Sequence, residues 1–321
     1  MNPLISLVIP VYNEEAAIRP VVESLVRVMD GDLKCGFEMI IVNDGSLDGT
    51  SRILFELATR DPRIRVLSFR KNLGHQKALV AGLDCAAGDA VVMLDGDGQH
   101  PPPVMAEMVR MWMNNNELHV IQAIREGSQG SAQKNITSAF YYRAMQWLCP
   151  ECEIVPGMSD FRLLSREAVL FIRQYRDRHR NLRLLVSSLP MTCVYLRYPA
   201  AKRMAGGSQF TLSKMIHLAT DGLFAYSKLP LRLSLLFTLV TGLFSLAFFS
   251  YAIAMKISGQ TVTGWASMIC LVTLLFTGLF GVLSIFAEYL ARIYEDVKAR
   301  PLYWVDEFKP DEKSGSRRDP Q

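Results

Sequence analysis

Two runs near the C-terminal end narrow the architectures open to this chain more than any other feature. Leu233–Ala254 (LSLLFTLVTGLFSLAFFSYAIA) and Trp265–Ala287 (WASMICLVTLLFTGLFGVLSIFA) hold no Asp, Glu, Lys, Arg or His. Each is about 22 residues long, and at about 1.5 Å per residue each matches the ~30 Å hydrocarbon core of a bilayer. A core helix of that length in a soluble protein normally keeps a polar stripe, and these have none. The pair therefore reads as two membrane spans joined by the short link Lys256–Gly264. Lys228, Arg232, Arg292, Lys298 and Arg300 flank the pair on its outer ends, which by the positive-inside rule puts both flanks in the cytoplasm. The expectation is a multi-pass protein of the cytoplasmic (inner) membrane, with both termini and the soluble part cytosolic.

Outside the pair, composition is that of an ordinary soluble domain. Residues 229–291 carry only three charged side chains, Arg232, Lys256 and Glu288, although 21% of the 321 residues are charged and 50% are hydrophobic. That content, with a formal net charge of +4, excludes a disordered chain, a collagen and a small disulfide-dense secreted module. The six cysteines suit free thiols in a reducing compartment. Cys149 and Cys152 have the spacing of half a zinc site, but no second half follows, so they read as a structural pair. The sequon Asn135-Ile136-Thr137 would not meet the glycosylation machinery in the cytosol. Leu4–Val11 lacks a basic leader and is too short to span, so no secretory signal is expected.

The expected division is a soluble α/β domain over residues 1–209, an amphipathic juxtamembrane helix over 210–228, the two-helix anchor over 229–291 and a cytosolic C-terminal segment over 292–321. Within the last, Asp311–Gln321 is polar and reads as disordered. In Phe210–Tyr226, apolar residues such as Leu212, Met215, Ile216, Ala219 and Leu223 recur at three- and four-residue steps. Such a stripe suits either a bilayer surface or the flank of the soluble domain.

The soluble domain alternates two patterns. Ser6–Val11, Met39–Asn43, Arg65–Phe69 and Ala90–Leu94 are short apolar runs that end at turn residues. Helical spacing over Glu15–Met29, Thr50–Ala58 and Gln76–Ala86 separates them. This alternation predicts an α/β fold, a mainly parallel sheet with helices on both faces. Ligands of such sheets bind at the carboxyl ends of the strands. The polar residues collect there: Asn13-Glu14 after the first run, Asp44-Gly45-Ser46 after the second, and Asp95-Gly96-Asp97 after the fourth.

Asp95-Gly96-Asp97-Gly98-Gln99 is the strongest chemical signal. Two carboxylates two residues apart after a strand can converge on one hard cation and leave its other positions to water and phosphate oxygens. The intervening glycines permit the tight backbone this requires.

At this point the motifs carry a resemblance. Pro10-Val-Tyr12-Asn13-Glu14, Asn43-Asp44-Gly45-Ser46-Leu-Asp48, Lys71-Asn72-Leu73-Gly74 and Asp95-Gly96-Asp97-Gly98-Gln99-His100-Pro101 resemble, in order, the signature of a family 2 glycosyltransferase with the GT-A fold. Ser159-Asp160-Phe161-Arg162-Leu163, Arg203-Met-Ala-Gly-Gly207-Ser208-Gln209-Phe210, Glu288-Tyr289 with Arg292 and Tyr294, and Arg300-Pro301 are similar to the polyprenyl-phosphate glycosyltransferases. That group includes bactoprenol glucosyltransferases, dolichol-phosphate mannose synthases and aminoarabinose transferases, and the likeness to the bactoprenol type is the nearest. Three positions depart from the pattern: Asn43 stands where Asp is common, Lys71 where Arg is usual, and Gln209 where a basic residue is usual.

The resemblance implies a hexosyltransferase that takes a nucleotide-sugar, a UDP-hexose such as UDP-glucose, and passes one sugar with inversion to undecaprenyl phosphate for cell-envelope glycan modification. It implies Mg²⁺ or Mn²⁺ on Asp95, Asp97 and Gln99, and a donor site of Pro10, Tyr12, Asn13, Glu14, Asp44, Asn72 and Asp95. Arg125, Lys134, Arg203, Ser208 and Gln209 would meet the acceptor phosphate. Asp160 joins Asp95 and Asp97 as a catalytic candidate, with pairing to Arg162 as its alternative role. The implied partners are the sugar nucleotide, the lipid, the membrane and further copies of the chain (a tetramer in the family), and no nucleic acid. A lipid phosphate is already ionised at neutral pH, so its oxygen needs no strong general base. The sugar stays open among glucose, galactose, mannose, an N-acetylhexosamine and a modified arabinose, and with it the nucleotide. A processive polysaccharide synthase is disfavoured, because there is no Gln-x-x-Arg-Trp element and two spans are too few for a pore. From another class, an inert membrane-anchored scaffold on the same fold is opposed by the intact Asp44, Asp95 and Asp97.

Overall fold

Strand β1 (Leu4–Val11) is buried at seven of its eight positions, which marks it as covered on both faces. In the computed structural model it lies between two parallel partners, β2 (Gly36–Asn43) and β4 (Ala90–Met93). Strand β3 (Ile64–Phe69) extends the parallel set beyond β2. The structure describes residues 3–115, 117–126, 157–175, 182–199, 229–259, 264–298 and 301–308. Lys134, Arg203, Ser208, Gln209, the cysteine pair at 149 and 152, the sequon, Phe210–Tyr226 and Asp311–Gln321 lie outside these described residues.

A helix follows each of the first four strands: α1 (Ile18–Val28), α2 (Thr50–Arg60), α3 (His75–Cys85) and α4 (Pro102–Asn114). Then come β5 (Val120–Glu126), β6 (Met158–Ser165), α5 (Arg166–Gln174), α6 (Leu182–Ser187) and β7 (Cys193–Pro199). A last strand, β8 (Val305–Phe308), completes an eight-stranded sheet in the order β7-β5-β6-β4-β1-β2-β3-β8. Pairs β1–β2, β1–β4, β2–β3 and β5–β7 are parallel, while β6 and β8 run antiparallel to their neighbours.

Alternation along the strands builds two cores. Ile5, Leu7, Ile9 and Val11 of β1 join Met39 and Ile41 of β2 under α1, α2 and α4. Val8, Ile40 and Val42 point the other way and pack with Ala78, Leu79 and Leu83 of α3 and Val169 and Ile172 of α5. The sheet is thus covered on both faces, as the alternation predicts.

Helix α1 begins at Ile18 rather than at Glu15, and the neighbouring loop explains the difference. The Glu14 N–H donates to Thr50 Oγ1 (2.9 Å) and the Glu15 N–H to Asp48 Oδ2 (3.3 Å), so this backbone is held by the β2–α2 loop before it can enter a helix. At its other end α1 widens into a π-helical turn, Met29–Leu33, closed by Lys34 at φ 51°.

Helix α3 is fixed at its C-terminal end by three arginines. Arg173 donates to the Leu83 and Ala86 carbonyls, Arg166 to Ala86 (2.8 Å) and Arg65 to Cys85 (3.3 Å). These cations satisfy the orphan carbonyls and oppose the negative end of the helix dipole.

Two long helices, α7 (Leu229–Ile257) and α8 (Trp265–Val297), pack against each other and form a separate unit from the sheet and its helices. Gly278 accepts the Phe237 ring: a Cβ there would lie 2.6 Å from Phe237 Cε1. Leu236–Met255 and Leu274–Ala291 are long and apolar enough to cross a membrane, and next to none of their described residues are buried.

Residues 301–308 belong to the sheet's unit. Strand β8 pairs Val305 with Phe69 and Phe308 with Val66. The Tyr303 ring stacks on Phe69 with centroids 5.8 Å apart, and its hydroxyl donates to Asp84 (2.6 Å). Arg70 pairs with Asp306 at 3.1 Å.

Candidate active site

A cleft of about 200 Å³ opens at the carboxyl ends of β1, β2 and β4, where an open α/β sheet binds ligands. Pro10, Tyr12 and Glu14 come from the end of β1, Asp44 follows β2, His75 opens α3, and Asp95 and Asp97 follow β4. Tyr12 is 41% exposed, which leaves its ring available to a flat ligand.

Close backbone approaches fix the loops. Gly45, at φ +70°, lies so near the β3–α3 loop that a Cβ would come within 2.5 Å of the Lys71 carbonyl carbon. A Cβ on Gly96 would meet Val11 Cγ1 at 2.5 Å, so glycine lets the Asp95–Asp97 turn pack onto β1. Asn13 adopts φ 55°, its N–H donates to Ser46 Oγ and its side-chain oxygen accepts the Leu47 N–H. Among the described residues, Asn13 and Asn72 are not part of the cleft lining, and the Asn13 side chain is engaged with the neighbouring loop.

Asp44 is buried, and its carboxylate accepts the N–H groups of Leu73 (2.7 Å) and Gly74 (3.0 Å). Burial raises its pKa above the ordinary value, against the lowering effect of those two donors. It therefore ties the β3–α3 loop to β2 while lining the cleft.

Asp97 accepts the Gln99 backbone N–H at 2.9 Å and the Gln99 side-chain amide. The Gln99 oxygen in turn accepts from Arg125 (2.9 Å), which β5 carries to this point. Gln99 thus links Arg125 to Asp97, with its one ligating oxygen already engaged. No group of three or more His, Cys, Asp or Glu that could hold a metal ion occurs among the described residues. Two hard carboxylates facing one cleft suit a Mg²⁺ or Mn²⁺ ion that takes its remaining oxygens from substrate phosphate and water.

The Asp95 carboxylate lies between two imidazoles: His75 Nε2 is 3.6 Å from Oδ1, and His100 Nε2 is 3.6 Å from Oδ2. The Asp95 N–H also donates to His100 Nδ1 at 2.8 Å. Burial holds the His100 pKa below its ordinary value, despite the nearby charges of Asp95 and Asp97. His75 is absent from the residues that the motifs single out. The signal for it is its place directly after Asn72-Leu73-Gly74, at the first position of a helix that starts from the ligand end of the sheet.

Asp160 sits behind His75, 5% exposed, and His75 Nε2 lies 3.4 Å from its Oδ2. Arg162, fully buried on the same strand, donates to Oδ1 at 3.1 Å; Gln76 donates to Oδ2 at 3.1 Å, and Arg183 lies 3.4 Å away. Burial alone would raise the Asp160 pKa. The His75 hydrogen bond and the charges of Arg183 and Arg162 outweigh it and hold the carboxyl well below the usual range. Asp160 is thus an ionised anchor, unsuited to accepting a proton at neutral pH. For Arg162 burial prevails, lowering its pKa to about 10 against the charge of Asp160.

Comparison with known proteins follows the same lines. The family model described as Glycosyl transferase family 2 matches residues 6–171. An uncharacterized glycosyltransferase of Bacillus subtilis, YkcC, is 36% identical over 303 residues, covering 94% of this chain and 92% of the relative. The SfII prophage-derived bactoprenol glucosyl transferase of Shigella flexneri is 34% identical over 305 residues, 94% of this chain and 97% of that protein. Among solved structures, glucosyl-3-phosphoglycerate synthase from Mycobacterium tuberculosis, in complex with Mn²⁺, UDP-glucose and phosphoglyceric acid, aligns with 70% of this chain and 79% of its own. Its TM-score is 0.46 and its identity 21%.

Proposed function

This chain belongs to glycosyl transferase family 2, and on that premise we propose that it passes a single hexose from a UDP-hexose, UDP-glucose first among them, to undecaprenyl phosphate. The observation that carries the reading is the cleft itself: Asp95 and Asp97 face one space together with Tyr12, Glu14 and Asp44, at the ends of three adjacent strands. Near-full-length relatives that are named bactoprenol glucosyl transferases support the acceptor.

In this reading Tyr12, Glu14 and Asp44 hold the nucleoside, and Asp95 and Asp97 hold Mg²⁺ or Mn²⁺. Bound there, the cation would neutralise charge developing on the departing nucleoside diphosphate. Arg125, braced by Gln99, stands beside the Asp95–Asp97 turn as a cation for phosphate, and Lys134, Arg203, Ser208 and Gln209 complete the proposed acceptor set. A guanidinium suits such a contact through its planar pair of donors.

The acceptor oxygen attacks the anomeric carbon as the bond to the diphosphate breaks, so the configuration inverts. That oxygen is anionic from the start, so the step needs no group to remove a proton from it. Asp160, held ionised by its donors, acts as the anchor of His75 and of α3 rather than as a proton acceptor. The two long apolar helices serve as a membrane hairpin that keeps the enzyme beside its lipid.

The test is direct. Purified full-length protein is offered undecaprenyl phosphate with UDP-glucose, UDP-galactose, UDP-N-acetylglucosamine, a UDP-aminoarabinose derivative or GDP-mannose in turn, and the lipid extract is read by mass spectrometry. A hexosyl-phosphoryl-undecaprenol from a UDP-hexose supports the reading. Product from GDP-mannose alone overturns the donor, and no lipid product from any donor overturns the acceptor.

A further inference from the structure

His100 is outside the cleft lining and is only 7% exposed, yet it touches the residue on which the cation site depends. The turn that carries Asp95 and Asp97 folds back so that the Asp95 N–H donates to His100 Nδ1 at 2.8 Å. A ring nitrogen that accepts a hydrogen bond carries no proton, so the ring's N–H is on Nε2. Nε2 stands 3.6 Å from Asp95 Oδ2, a near approach longer than a hydrogen bond. One imidazole therefore meets Asp95 twice, through its backbone and through its carboxylate.

The ring has no freedom to turn away. It lies flat on Phe161, with centroids 4.5 Å apart and planes 10° apart. Phe161 is fully buried in β6 and meets the edge of Tyr198 from β7 at 5.8 Å. The aromatic column is thus fixed by the strand that also carries Asp160.

We infer that His100 is a positioning residue for Asp95: the ring, fixed on Phe161, holds the Asp95 N–H at Nδ1 and stands Nε2 beside Oδ2, so that the carboxylate is presented to a divalent cation. The inference rests on the reading of Asp95 and Asp97 as the cation site. Outer partners that orient a ligating side chain commonly change metal affinity by about 10–100-fold, and this is the size of effect expected.

The test uses full-length protein in detergent with UDP present, and follows unbound Mn²⁺ by electron paramagnetic resonance. His100→Asn retains an oxygen near the Nδ1 position to accept the Asp95 N–H but has no group at Nε2. It should fold with a near-normal melting temperature and bind Mn²⁺ about 10–100-fold more weakly. Its kcat should recover at high Mn²⁺, so that the loss appears in the Mn²⁺ dependence. His100→Gln places an amide N–H near the Nε2 position and should regain part of the affinity. His100→Asn with wild-type Mn²⁺ affinity overturns the inference, as does a variant whose only defect is a lower melting temperature. Asp95→Asn is measured alongside: if it too binds Mn²⁺ normally, the cation site is misassigned and both readings fall. Loss in Asp95→Asn with none in His100→Asn removes His100 alone.

Discussion

Asn13 and Leu47 lock the first two strand-end loops together: the Asn13 side-chain oxygen accepts the Leu47 N–H at 2.8 Å, from a backbone held at φ 55°. Asparagine tolerates the left-handed region and brings the acceptor that crosses to the next loop. Asn13→Ala should lose about 1 kcal/mol from conformation and about 1 kcal/mol from the missing bond. Because Tyr12 is the next residue, the KM for the sugar nucleotide should rise more than kcat falls. Asn13→Gly should restore the backbone but not the bond and fall between the two. Unchanged KM in Asn13→Ala would separate this latch from the donor site.

Asp97→Asn keeps the volume of the side chain and its acceptor for the Gln99 N–H, but removes the charge facing the cleft. Turnover should drop by roughly 10²–10³-fold, with the melting temperature nearly unchanged. Substantial activity at saturating Mg²⁺ and Mn²⁺ would sink the assignment of this carboxylate.

Arg162 and Asp160 form a buried pair 3.1 Å apart. Arg162→Met removes the fully buried cation beside Asp160; breaking a buried pair costs at most about 3–5 kcal/mol. A sharply lower melting temperature, or failure to accumulate, is expected. Since His75, Gln76 and Arg183 also hold Asp160, the double variant Arg162→Met/Asp160→Asn should recover part of the loss. A fully stable single variant would show that the pair does not hold β6 in place.

A pH effect arises away from the cleft. Hydrogen bonding from Arg63, ahead of the opposing effect of burial, lowers the Asp61 pKa. A depressed folded pKa contributes stability above the unfolded value of about 3.9 and loses it as pH falls through the folded value. Asp61→Asn should therefore lower stability at pH 7 by about 1 kcal/mol, discounted for partial exposure. The melting curves of the two proteins should converge below about pH 4. A gap that persists unchanged at acid pH would assign the loss to packing instead of charge.

The proposed orientation can be tested from the sheet order as well as from the basic flanks. Strand β7 precedes the long helices and β8 follows them, yet both belong to one sheet, so a membrane hairpin must leave on the side it entered. In a cysteine-free background, Ser258→Cys should react with an impermeant thiol reagent in intact cells and Ser314→Cys should not. The reverse labelling would overturn the orientation.

The first four strands were legible because each is an apolar run buried on both sides, and the strand-end polar groups pointed to the cleft that Tyr12, Asp44, Asp95 and Asp97 share. Strand β6 was hidden by its own chemistry: Asp160 and Arg162 interrupt the run, and they are buried because they pair with each other and with further partners, Gln76 and Arg183 on Asp160 and the Ser159 carbonyl on Arg162. Strand β8 is paired with a segment more than 200 residues away, which no local pattern records. Within the site, Asn13, which the resemblance groups with the donor residues, also has a bond that no motif records, from the Leu47 N–H to its side-chain oxygen. His75 went unnoticed because its importance comes from where α3 begins, beside Asp95 and Asp160.

The position of β8 also sets an order of events during synthesis. Between the end of β7 and the start of β8 lie about a hundred residues, which a ribosome adds in roughly 5–20 s. Through that interval the outer edge of β3 stays open, and an open edge is a template for any passing strand. The strand that closes this edge is made only after both long helices, so the β3 edge must be kept from other strands until Val305–Phe308 arrives.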